Sequence, residues 1–260
     1  MTKIVKKTKG GKIFAITIML ICFALCLTLA DLFSTAITIG NFSGFVTDAS
    51  KLTGYKIYAI STFQSSVKSV SEDAAKKYTS RNGAGYIWEK DSIYHVFLSA
   101  YENQNDAIKV KENLESSGET PNIIEVDIPE ITIKSNLSSA EKGVLTSALN
   151  VFYSTYKSLY DISVSLDTSI KSETECKLLL SDVASEVGKI KTNFNNTFNP
   201  KLTNNLIEVK LKIDKAESLV KELIDFSSTT SVNFSSKIKY NYIELIKLNS
   251  SLAKDIKYSI

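Results

Sequence analysis

The 260-residue sequence is poor in the side chains that most often perform catalysis or bind metal ions. His95 is the only histidine, and the three cysteines are Cys22, Cys26 and Cys176. One imidazole cannot build a histidine-rich metal site, and three cysteines predict no disulfide framework. A nucleophilic Cys–His pair would have to join Cys176 to His95 across two separate parts of the chain, and no segment singles out a pair of carboxylates. We therefore expect no enzyme activity, no metal and no cofactor.

Arginine and net charge are scarce as well. Arg81 is the single arginine, and 31 basic against 28 acidic residues leave a formal net charge of +3. The basic residues are spread along the chain, so the composition gives no reason to expect a nucleic-acid partner. With 43% hydrophobic and 23% charged residues, the chain can form one or two globular units.

The longest apolar run lies near the N-terminus. Residues 1–12 carry five lysines, and residues 13–30 are uncharged and about as long as the roughly 18 residues that span a bilayer. Because short basic flanks stay in the cytoplasm, we expect a single-pass cell-membrane protein whose chain after Asp31 lies outside the cytoplasm. A cleaved signal peptide is the alternative, although secretory apolar cores are usually shorter. Residues 31–53 read as a tether.

Residues 54–128 contain an internal repeat. The apolar run Ile57–Phe63 reappears as His95–Tyr101, and each copy closes with a serine, a small residue and an aromatic residue. A helix with apolar residues three or four apart follows each copy, and glycines Gly83 and Gly118 stand at the two helix ends. The repeat is therefore a β-α unit used twice.

The complete element order of this stretch is βαββαβ. A hairpin turning at Asp91-Ser92 supplies the middle strands, and the last strand follows Pro121. This order predicts a four-stranded antiparallel sheet with both helices on one face. On the other face, the hairpin pairs Trp88 with His95 and Tyr86 with Phe97.

Four aromatic rings on an open sheet face are typical of an interaction site, because exposed apolar patches usually meet a partner. The candidate ligand-binding residues, which alternation places on this face, are Ile57, Ala59, Ser61, Tyr86, Trp88, His95 and Phe97. In the alternative interpretation, the C-terminal region or the tether covers them.

The twofold repeat, the strand ending Ile60-Ser61-Thr62-Phe63 and the strand Tyr94–Tyr101 resemble the sporulation-related (SPOR) repeat domain. That family is often joined to a bitopic bacterial membrane anchor. The resemblance implies binding of peptidoglycan across the open face, particularly of glycan strands stripped of their peptides at division or sporulation septa. Ala59 stands where the family commonly carries a glycan-directed glutamine. Aromatic rings such as Trp88 can pack against the apolar face of a pyranose.

The RNA-recognition motif has the same strand order. Its basic, glycine-containing aromatic signature is absent from the third strand here, and we expect no nucleic acid as a partner.

Residues 138–260 change character and become helical. Apolar residues recur in steps of three and four along four stretches, and Asn199-Pro200 separates the second stretch from the third. Four amphipathic helices with short polar turns predict an antiparallel bundle, with an oligomeric coiled coil as the alternative. Cys176 lies on the second apolar stripe, so we expect it to be structural.

Together these patterns predict the α+β class: an N-terminal transmembrane helix, a βαββαβ ferredoxin-like or SPOR-like domain, and an all-α bundle or coiled-coil domain. The expected function is peptidoglycan binding that localises the protein to septa or sporulation sites, with possible protein partners of the helices. The alternative is a protein-interaction scaffold in which the sheet docks on the helical domain and binds no glycan.

Overall fold

The structure is a computed structural model that describes residues 51–133, 137–229 and 232–256. The predicted fold class is wrong as stated, because it began with a transmembrane helix. Among the described residues, no helix is long and apolar enough to cross a membrane. The predicted span 13–30 lies outside the described residues, together with residues 1–12 and 31–50. The described part is an α+β chain with six helices and two sheets.

Six strands build the two sheets. They are β1 (Lys51–Leu52), β2 (Tyr55–Ser65), β3 (Tyr86–Lys90), β4 (Ile93–Tyr101), β5 (Asn122–Ile128) and β6 (Ile131–Thr132). Strands β1 and β6 pair with each other, and the other four form one antiparallel sheet in the order β3-β4-β2-β5. The hairpin register is the predicted one, since Trp88 lies opposite His95 and Tyr86 opposite Phe97.

The hairpin turn explains this register. Asp91 and Ser92 both adopt positive φ angles, of 52° and 61°. Two-residue turns with positive φ at both central positions match the right-handed twist of the strands they join. The pairing that follows places Ile87 opposite Val96, on the other face of the sheet from Trp88 and His95.

The six helices are α1 (Lys68–Thr79), α2 (Gln104–Ser116), α3 (Ser139–Asp167), α4 (Glu173–Phe198), α5 (Asn204–Ile224) and α6 (Phe234–Ile256), and a short 3-10 turn (Asn199–Lys201) follows α4. Ser138 and Ser172 begin α3 and α4 with capping boxes, in which the serine and the glutamate three residues later satisfy each other's backbone N–H groups. Pro200 lies in the 3-10 turn, because proline cannot continue the hydrogen bonding of a helix interior.

Helices α3 to α6 form an antiparallel bundle. Helix α3 packs against α4 and α6, α4 packs against α5, and α5 packs against α6. Lys177, near the start of α4, donates a hydrogen bond of 2.7 Å to the carbonyl of Phe226, just beyond the end of α5. This contact joins opposite ends of the two helices, so they run antiparallel, as the four apolar stripes predicted.

The sheet is covered on both faces. Helices α1 and α2 pack on one face, where Ala75, Tyr78 and Val96 form a small apolar cluster. The other face shares a single large core with the bundle, in which Phe97 of the sheet lies with Phe152 of α3 and other bundle residues. The predicted open face is therefore not open, and sheet and bundle belong to one compact unit. Neither the sheet nor the bundle can bury its apolar face alone, so each covers the apolar face of the other.

Candidate functional site: the sheet–bundle interface

The seven predicted ligand-binding residues lie close together, but the structure buries them. Four of them, Ile57, Ala59, Tyr86 and Phe97, belong to the core shared with the bundle, and the most exposed of these four, Tyr86, is 3% exposed. Trp88 is half-buried and stacks on Phe97 with ring centroids 5.5 Å apart. The sequence thus predicted which residues share a face.

Ser61 and His95, the two polar members of the set, are also buried. The Ser61 hydroxyl donates a hydrogen bond of 3.0 Å to the carbonyl of Phe63, within its own strand. Burial, assisted by the nearby Lys90, lowers the pKa of His95, which keeps its imidazole neutral at physiological pH. Neither side chain is presented to a ligand in solution.

Helix α6 occupies the place that a ligand would take. Three of its residues spaced along one side of the helix surround Tyr86: the Tyr86 hydroxyl donates a hydrogen bond to Glu244, the Tyr240 ring lies 4.9 Å from the Tyr86 ring, and the Lys247 ammonium lies 5.8 Å from the ring centroid. Burial and the adjacent Glu244 carboxylate raise the pKa of Tyr86. Its phenol therefore stays neutral and serves as a donor.

The same helix makes polar contacts with the other three strands. The backbone N–H of Ala100 in β4 donates to the Tyr242 hydroxyl at 3.3 Å, and the Asn249 amide donates to the hydroxyl of Tyr55 in β2 at 2.8 Å. The Ser250 hydroxyl reaches the carbonyl of Asp127 in β5 at 3.4 Å. With Tyr86 of β3, α6 therefore contacts all four strands.

Tyrosines of α3 fill the remainder of the interface. Tyr153 packs against Tyr55 with ring centroids 4.8 Å apart, and Tyr160 packs against Tyr101 at 6.0 Å. Burial raises the pKa of all four phenols. Lys157, on the same helix, donates a hydrogen bond of 3.0 Å to Glu102 at the end of β4.

The interface offers little reactive chemistry. Its phenols have raised pKa values, and burial also raises the pKa of the Cys176 thiol, which lies in the bundle core. Among the described residues, no group of three or more histidine, cysteine or acidic side chains is placed to hold a metal ion. The arrangement of neutral, packed rings is suited to holding the sheet and the bundle together.

Sequence reasoning missed the α6 side of this site. A single apolar stripe in steps of three and four was predicted for this helix, and Tyr242 and Leu245 lie on it, but the neighbouring residues Ile243 and Ile246 are buried as well. Adjacent buried pairs widen the apolar face beyond the single stripe of a bundle helix. That width is the sequence signal that α6 has a second neighbour.

Comparison of the chain with models of known protein families, with curated proteins and with solved structures finds no match. The resemblance to the SPOR domain thus stays a prediction from the sequence.

Proposed function

We propose that this protein is a non-enzymatic interaction scaffold, in which the sheet docks on the helical bundle and the two present one continuous outer surface to protein partners. The observation that carries the proposal is the burial of the aromatic sheet face beneath α3 and α6. A face that is already filled by its own chain has no room for a glycan strand. The expected placement outside the cytoplasm depends on residues 1–30 and stays a prediction.

The energetics favour the docked state. Full burial of Ile57, Tyr86 and Phe97 contributes about 1.5–3 kcal/mol for each side chain, or about 5–9 kcal/mol together. Each 1.4 kcal/mol changes an equilibrium about tenfold, so fewer than about one molecule in a thousand would expose this face. Glycan bound across it would first have to displace α6, and its apparent affinity would fall by the same factor.

Partners would meet the outer surface of the bundle instead. Ile207 and Leu211 are large apolar side chains one helical turn apart on α5, and they are 39% and 56% exposed. On α4, Leu178 is 66% exposed. Exposed apolar side chains that share a helix face are suited to docking against another protein.

The glycan alternative is tested by co-sedimentation of the full chain with amidase-treated peptidoglycan. We expect the wild-type protein to pellet no more than a Trp88→Ala variant. A second variant, Glu244→Ala, removes the acceptor of the Tyr86 hydroxyl and loosens α6. If the wild type pellets clearly above Trp88→Ala, the sheet face binds glycan in spite of its burial, and the scaffold proposal is wrong.

The scaffold itself is tested by photo-crosslinking in cells. A photoreactive residue at Leu211 should form a discrete adduct with another protein, whereas the exposed position Ser185 on α4, which is small and polar, serves as the control. Absence of an adduct from Leu211, or equal adducts from both positions, would count against a partner surface on α5.

A further inference from the structure

Strand β2 is longer than the strand beside it. Strand β5 begins at Asn122, which lies opposite Ser61, while β2 continues to Ser65. On that side, residues 62–65 therefore have no strand neighbour within the described part of the chain. Pro121 precedes β5 and lacks the N–H that would extend the ladder, so the incoming chain diverges from β2.

A cavity of about 530 Å³ lies between the end of β2 and the segment that leads into β5. We name it the β2 notch. Its lining comes from the end of β2, from α2 and from the segment before β5, and it includes Thr62, Lys111, Glu115, Glu119 and Pro121. Pockets that bind small ligands have volumes of about 300–1,000 Å³.

The pairing of β2 is irregular at the notch. The register with β4 shifts on both sides of Ser61 and skips Thr62, and β5 has no residue opposite Thr62. Irregularities of this kind occur next to binding sites more often than elsewhere, because they end pairing and redirect side chains. The Thr62 hydroxyl is also buried without a hydrogen-bond partner within the described residues.

The charges around the notch favour a basic or neutral occupant. Lys111 forms an ion pair of 3.2 Å with Glu115, and Glu119 pairs with Arg81 at 3.3 Å. The notch lining itself holds two carboxylates and one ammonium group, and Arg81 lies outside it. Both ion pairs are partly exposed and therefore contribute little, so an incoming ammonium group can compete for the two carboxylates. Because β5 does not pair with β2 beyond Ser61, an occupant that has backbone donors and acceptors of its own can pair with this edge.

We propose that the β2 notch binds an extended, basic peptide segment of a partner protein by adding a short strand to the edge of β2 over residues 62–65. Main-chain hydrogen bonds supply affinity in this mode of recognition, and alternate side chains supply selectivity. The proposal rests on the scaffold function and names the chemistry of one partner. It concerns a different surface from the sheet–bundle interface, so either one can fail without the other.

The test uses the full chain and a defined probe, the capped pentapeptide acetyl-Lys-Val-Lys-Val-Lys-amide. Peptide titration is followed by hydrogen exchange of the amides in residues 62–65. We expect slower exchange there, with a Kd of about 0.1–1 mM, because a strand of this length makes a small interface. The same peptide with N-methylated central amides should bind at least about tenfold more weakly, since methylation removes backbone donors and hinders strand pairing.

Two charge-reversal variants on α2 provide a matched pair. Glu115→Lys changes a residue that lines the notch, and Glu112→Lys makes the same change at an exposed position of the same helix outside the lining. We expect Glu115→Lys to weaken binding of the basic peptide about tenfold, because it replaces an attractive charge with a repulsive one, and Glu112→Lys to leave the Kd within about twofold.

Several results would overturn the proposal. Equal binding of the N-methylated peptide would mean that no strand forms, and equal effects of the two variants would mean non-specific charge attraction. Protection of residues 62–65 by chitotriose but not by the peptide would assign the notch to a saccharide. Protection that grows with protein concentration alone would assign it to a second copy of the chain.

Discussion

Removing the Tyr242 hydroxyl is the most direct test of how the sheet is held to the bundle. Strand β3 begins at Tyr86, opposite Phe97, so among the described residues the β4 residues beyond Phe97 have no strand on that side. The Ala100 N–H donates instead to Tyr242, whose side chain is fully buried. In a Tyr242→Phe variant, the Ala100 N–H remains buried but has lost its hydrogen-bond acceptor.

The expected magnitude follows from the geometry. A buried donor left without a partner costs about 1–3 kcal/mol. The donor–acceptor distance of 3.3 Å is longer than the usual separation of about 2.9–3.0 Å, so the lower half of that range applies. We therefore expect Tyr242→Phe to lower the free energy of unfolding by about 1–2 kcal/mol and Tm by about 2–8 °C.

The assay is urea unfolding followed by circular dichroism, with Tyr240→Phe as the matched control. Tyr240 lies on the same helix, is 40% exposed, and should tolerate loss of its hydroxyl within about 0.5 kcal/mol. Hydrogen exchange at the Ala100 amide should also accelerate in Tyr242→Phe. If the two variants unfold at the same urea concentration, the contact between Tyr242 and Ala100 does not stabilise the docked sheet.

Three further predictions concern the rest of the fold. Because sheet and bundle share one core, calorimetry of the full chain should show one cooperative transition, and a separate transition for the bundle would refute the shared core. The raised folded-state pKa of Tyr86 gives stability that is complete below the unfolded value of about 10 and is lost as pH rises above it, at about 1.4 kcal/mol per pH unit. Urea midpoints between pH 9 and pH 11 should therefore fall less steeply for Tyr86→Phe than for the wild type, and equal slopes would contradict the assignment. Gly118→Ala should destabilise by about 1–2 kcal/mol, because φ there is +83° and the left-handed region penalises a Cβ. Gly143→Ala should stabilise by about 0.5–1 kcal/mol, because this glycine lies inside α3 with nothing within 4 Å of an added Cβ; effects of the same sign would refute this reasoning.

The local elements of the sheet could be predicted because their signals are local. The pairs around Asp91 and Ser92 depend on a two-residue turn and on alternation, and both can be read from neighbouring residues. Helix α2 ends at a glycine for a similar reason: Gly118 takes a positive φ, and the backbone N–H groups of Gly118 and Glu119 close the last turn on Glu115 and Leu114.

The sequence predicted which residues form the candidate site, but not whether those residues are exposed or buried. Alternation placed Ile57, Tyr86 and Phe97 on one face, and the structure places them in one core. Their exposure depends on α3 and α6, which follow later in the chain and outside the sheet. The residues that cover them include Tyr242 and Glu244. No local sequence pattern around these residues indicates that they contact the sheet.

By itself the sequence determined the four strands of the main sheet, the helices, the hairpin register, and which aromatic side chains share a face, because these properties depend on periods of two and 3.6 residues and on single turn residues. It did not predict the short pair β1–β6, whose first strand lies at the end of the predicted tether 31–53. Only the tertiary structure decided that the aromatic face is an internal contact. That outcome depends on the competition between a ligand in solution and α6, which is tethered to the sheet by the same chain and contacts all four strands. A tethered apolar helix face covers the sheet without the loss of translational freedom that a free ligand would incur.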